Sequence, residues 1–65
     1  MTHSIIGLEG AQFDVKESQE TIKRMIKEQE LIGGTYIELH DNDDIGVITA
    51  FIKHLTYIYP KGEYD

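Results

Sequence analysis

The chain has 65 residues, no cysteine, and six Lys and Arg against twelve Asp and Glu, for a formal charge of −6. The lack of cysteine excludes disulfides, thiolate-held zinc and thiol nucleophiles, and the acidic balance opposes nucleic acid and anionic membranes, whose phosphates call for Lys and Arg. A domain this short buries only about 60% of the surface its unfolded chain exposes, so its core is thin and a homo-oligomer is expected to supplement it.

The 40% apolar content suits a folded domain. No apolar run approaches the ~18 residues of a membrane span. Met1-Thr2-His3-Ser4 has neither the basic residues nor the following long apolar region of a secretory signal. A soluble, cytoplasmic protein is expected.

In chain order, Ser4-Ile5-Ile6-Gly7-Leu8 is rich in β-branched residues and predicts a short strand. Glu9-Gly10-Ala11 is a turn, and Gln12-Phe13-Asp14-Val15 alternates with period two, as a returning strand does. A helix follows, with Ser18 as its cap, although Asp14 and Glu17 have the spacing of a capping box and allow an earlier start. Ile22, Met25 and Ile26 form its apolar stripe. Leu31 and Ile32 are read as a last turn tucked against the sheet, and Gly33-Gly34 ends the element.

Thr35 to His40 is the clearest strand, with Thr35, Ile37 and Leu39 on one face and Tyr36, Glu38 and His40 on the other. Asp41-Asn42-Asp43-Asp44 is a turn of residues whose side chains bond their own backbone. Gly46 to Tyr59 reads two ways. Ile45, Ile48, Ile52, Leu55 and Tyr59 recur at helical spacing, whereas period two places Ile48, Ala50 and Ile52 opposite Val47, Thr49 and Phe51. The β-branched and aromatic composition favours two strands, Gly46 to Ile52 and Leu55 to Tyr59, bent near Lys53-His54. Pro60 is expected to close the last strand and residues 61–65 to form a frayed tail.

The architecture expected is one α+β domain over residues 1–65, ββαβββ, with one helix packed on one face of a small antiparallel sheet. The helical reading of 46–59 gives ββαβα instead. The opposite sheet face would carry Tyr36, His40 and, with them, Phe51 and Tyr57, an apolar area calling for a second copy or a partner.

Catalytic and metal chemistry is poorly served. Asp41, Asp43 and Gly46 fall where a calcium loop has two ligands and its glycine, but Ile45 and Ile52 stand where oxygen ligands belong. His40 and Asp41, adjacent on a strand, point to opposite faces. His54 is read as bonding local backbone. Ser18 is accounted for as a cap, no glycine-bracketed serine is present, and the glycines form no phosphate cradle. No enzyme, cofactor or metal is expected.

What remains is a binding surface. Glu38, Asp41, Asp43 and Asp44 concentrate negative charge, and tyrosines, suited to interfaces by their area and polar tip, stand at 36, 57, 59 and 64. Tyr36, Glu38, His40, Asp41, Asp43, Asp44, Tyr57 and Tyr59 are therefore the candidate partner-binding residues. The partner expected is a protein with a basic surface, met by an adaptor or inhibitor. The alternative is a symmetric oligomer that sequesters a nucleotide or other small molecule on its aromatic rings. DNA binding is weakest, because Lys23, Arg24 and Lys27 are interleaved with acids.

Two stretches carry a resemblance. Phe13-Asp14-Val15-Lys16-Glu17-Ser18 with Glu20-Thr21-Ile22 resembles the closing strand-to-helix passage of the FlbD-like family of very short bacterial flagellar-operon and phage proteins. Tyr36-Ile37-Glu38-Leu39 and His54 to Pro60 resemble that family's opening strands, in reversed order here. The resemblance covers about half of the chain and implies a β-rich C-terminal half. In type, the chain is similar to small phage accessory proteins, including inhibitors of host defence.

Overall fold

The computed structural model describes residues 3–61. Five strands and one helix run β1 (His3–Leu8), β2 (Ala11–Val15), α1 (Gln19–Leu31), β3 (Tyr36–His40), β4 (Val47–Phe51) and β5 (Leu55–Lys61), with a 3-10 turn at Ile52–His54 joining β4 to β5. The fold class is α+β, and the period-two reading of 46–59 is the one that forms. The strands divide between two antiparallel sheets, β2-β1-β5 and β3-β4. The single sheet expected from the sequence is thus broken. One backbone bridge, Val15 to Asp41, joins the two parts, with Lys16 N donating to His40 O and Asn42 N to Asp14 O.

The first hairpin closes on Glu9 and Gly10, both at positive φ, 46° and 90°. Two-residue turns of that kind match the twist of the strands they connect. Glycine takes the larger φ freely, and Glu9 bears the strain of its own.

Ser18 caps α1, its Oγ accepting from Thr21 N at 3.2 Å. The Asp14–Glu17 box does not form, because Glu17 is used elsewhere. Ile22 is fully buried, and Met25 and Ile26 pack beside it. Gly33, at φ 77°, follows the helix and turns the chain toward β3.

Leu31 and Ile32 do not tuck against the sheet: they are 81% and 76% exposed. Ile32 stands past the helix as its C-cap, and for Leu31 the reason is angular. At about 100° per residue, nine residues carry Leu31 roughly 180° around the helix from Ile22.

The core gathers Ile6, Val15, Ile22, Ile37, Leu39 and Ala50, so both sheets and the helix contribute. Alternation decides which residues enter it. Ile37 and Leu39 of β3 point in, and Tyr36, Glu38 and His40 point out.

Pro60 does not close β5, which runs through it to Lys61, Pro60 pairing with Ser4 and Lys61 with His3. The Ile58 carbonyl is taken from outside by Gln19 Nε2 at 3.1 Å, so β5 turns its groups at Ile58 and Pro60 away from β1 and loses no ladder donor at the proline. Of the tail expected at 61–65, Lys61 is strand, and 62–65 lie outside the described residues.

Candidate functional site

The outward face of β3 is built by its register with β4. Tyr36 stands opposite Phe51, Glu38 opposite Thr49 and His40 opposite Val47. Tyr36 and Phe51 meet edge to face with centroids 5.9 Å apart, and Phe51 meets His54 in the same way at 6.1 Å. These separations fall in the range of favourable aromatic pairs. Tyr36, Phe51 and Val47 are exposed, Val47 at 58%, so an apolar strip flanks the polar row of Glu38 and His40.

At the His40 end the strip runs into the acidic turn. Asp41 Oδ1 accepts from Asp43 N at 2.9 Å, and Asp44 Oδ1 accepts from Ile45 N at 2.7 Å. Each side chain holds its own loop, as expected of Asp in turns. Ile45 is 99% exposed beside these acids. From the sequence, Ile45 enters only a helical repeat that does not form and the case against a calcium loop. The signal available there was an apolar residue flanked by Asp44 and Gly46 in a turn that has no core to reach.

His40 is fixed by a residue that sequence reasoning did not connect to it. Its Nδ1 lies 2.6 Å from Glu17 Oε2, and its backbone N donates to Glu17 Oε1 at 2.9 Å. The Glu17 side chain is only 14% exposed. It comes from the loop before α1, so contact with β3 has no local signature.

The other histidines also face one carboxylate each. His54 Nε2 lies 3.4 Å from Glu9 Oε2, which replaces the local backbone bond expected of it. His3 Nε2 lies 3.4 Å from Asp14 Oδ1, an ion-pair separation at which Asp14 Oδ1 still has no hydrogen-bond partner among the described residues. No group of three His, Asp or Glu side chains converges among the described residues.

No protein-family model, curated protein or solved structure matches this chain.

The candidate residues thus form two groups. Tyr36, Glu38 and His40 with Asp41, Asp43 and Asp44 are contiguous on β3 and the turn that follows it. Tyr57 and Tyr59 sit on β5 in the other sheet, paired with Gly7 and Ile5. Tyr57 is tied down, its hydroxyl accepting from Gln12 Nε2 at 2.6 Å. Tyr64 lies outside the described residues. A groove of about 560 Å³ opens beside Phe51, between the helix end and the 3-10 turn, lined by Glu30, Thr35, Ile52, Lys53 and His54. No helix among the described residues is long and apolar enough to cross a membrane.

Proposed function

We propose that this chain is a non-catalytic protein-binding module, an adaptor or inhibitor that meets a basic surface on its partner. The observation carrying the reading is the continuity of Tyr36, Glu38 and His40 with Asp41, Asp43 and Asp44 on one exposed strand and turn. Carboxylates gathered in this way steer association with a basic patch, and the neighbouring Tyr36, Phe51 and Val47 supply desolvated contact area. The likeness to short bacterial and phage proteins suggests a phage-encoded module acting on a host enzyme or defence protein, in the host cytoplasm.

The test uses substitutions that remove charge and keep shape. Asp41→Asn, Asp43→Asn and Asp44→Asn together retain the Oδ1 acceptors that hold the turn. Affinity capture with the native chain should recover a partner that the triple variant loses or binds at least about tenfold more weakly, with association slowed most at low salt. Capture of the same partner at unchanged affinity by the triple variant would sink the reading.

The groove beside Phe51 favours a second reading, a small-molecule sponge, because its volume lies within the usual ligand-site range and Phe51 and His54 offer rings for stacking. Native mass spectrometry of the purified chain separates the two. A retained small mass supports the sponge, and a retained protein supports the module.

A further inference from the structure

Backbone groups at the rim of a sheet are templates for another strand unless something blocks them. Three of the four rims here are blocked. β5 carries Pro60 and Lys61, and its Ile58 carbonyl is taken by Gln19. β2 places the charged Asp14 on its rim, and its end is bridged to Asp41. β3 has Glu38 at its centre, and at its end the N–H of His40 is held by Glu17 and its C=O by Lys16.

β4 is different. Its sequence, Val47-Ile48-Thr49-Ala50-Phe51, contains no charge and no proline. Ile52 N donates to Thr35 O and Asp41 N to Gly46 O, so with the observed register the hydrogen-bonded pairs are 35/52, 37/50, 39/48 and 41/46. Antiparallel ladders alternate. Val47, Thr49 and Phe51 therefore turn both backbone groups away from β3, toward a side where β4 has no neighbour among the described residues.

We infer that β4 is the self-association edge of this protein, pairing antiparallel with β4 of a second copy about a two-fold axis at Thr49. That register uses the three free residues and no others. Thr49 meets the second copy's Thr49, and Val47 meets the second copy's Phe51 twice over, giving about six backbone hydrogen bonds. Threonine pairs and aromatic–β-branched pairs are favourable cross-strand neighbours. The two sheets β3-β4 become one four-stranded sheet whose outward face continues Tyr36 and Phe51 of one copy into Val47 of the other.

Charge selects a second copy as the occupant. The same two-fold sets the turn that precedes β4, residues 41–46, near the 3-10 turn Ile52–His54 that follows β4 of the mate. The acidic Asp43-Asp44 end of each β4 then lies beside the Lys53-His54 end of its mate, and two chains of charge −6 meet along a neutral strand with opposite charges at its ends. The inference gives the self-association expected from the thin core a location, and it is tested without the heterologous partner proposed above, with which it shares Asp43, Asp44, Val47 and Phe51.

The purified native chain tests it alone. In hydrogen exchange, the amides of Val47, Thr49 and Phe51 should be slow in concentrated solution and fast on dilution, while those of Ile48 and Ala50 stay slow in both. Sedimentation should show Thr49→Lys and Thr49→Glu each weakening the dimer at least about tenfold by like charges meeting on the axis, and an equal mixture of the two re-forming a dimer. Three outcomes overturn the inference: a native chain monomeric at every concentration with the three outward amides always fast; a dimer unmoved by either substitution; or protection of those amides only when a foreign protein is added. The exchange measurement needs no variant, so it decides the matter even if a substitution at Thr49 unfolds the hairpin.

Discussion

Tyr57 and Gly7 face each other across β5 and β1, and a Cβ placed on Gly7 would fall onto the Tyr57 ring and Thr56 Oγ1. With its hydroxyl bonded to Gln12, the ring lies over the bare backbone and shields it from water. Gly7→Ala should cost about 1–3 kcal/mol, because the ring must swing away from packing it already has. In a Tyr57→Ala background the same change should cost less, with only the contact to Thr56 Oγ1 left, and urea unfolding of the four chains measures the coupling. Equal costs in both backgrounds would leave the steric account without support. Nothing in the sequence discloses this apposition. Gly7 and Tyr57 come from opposite ends of the chain, and only the β1–β5 register brings them together.

Elements were legible where their pattern is local. Ser18 ahead of the Ile22-Met25-Ile26 stripe marks the start of α1, and the Val47 to Phe51 alternation marks β4, because a cap and a pleat act within a few residues. The far end of the helix is not legible from apolar character alone: angle turns Leu31 outward, and Ile32 falls past the last helical residue. Two substitutions on this one helix should separate the cases. Ile22→Ala removes a fully buried side chain shared by both sheets and should cost about 2–5 kcal/mol. Leu31→Lys should stay within roughly 0.5 kcal/mol of the native chain, since the site is open to water. Thermal or urea unfolding reads both. Of the candidate surface, the row Tyr36, Glu38, His40 was visible from period two, whereas its brace, Glu17, belongs to another element and was not.

For the molecule as a whole, the division into two sheets has no sequence signature, because which sheet a strand joins depends on distant partners. Outside the shared core the join is narrow: the Val15–Asp41 bridge, the bonds of Lys16 and Asn42 beside it, and the Glu17 carboxylate on His40. Glu17→Ala should lower stability by about 1–2 kcal/mol, and Glu17→Gln, which keeps an acceptor oxygen for the His40 N–H, by less. Urea midpoints at fixed chain concentration make the comparison. A Glu17→Ala chain as stable as the native one would show that the carboxylate is not part of the join.

So slender a seam has a consequence for recognition. A two-stranded hairpin does not hold its shape alone in water. The β3-β4 arm, which displays the acidic turn, keeps its order largely because Ile37, Leu39 and Ala50 are lodged with Ile6, Val15 and Ile22. Display and docking are therefore one equilibrium: when the helix lets go, the acidic arm frays with it. Whatever clasps that arm stiffens the helix as well.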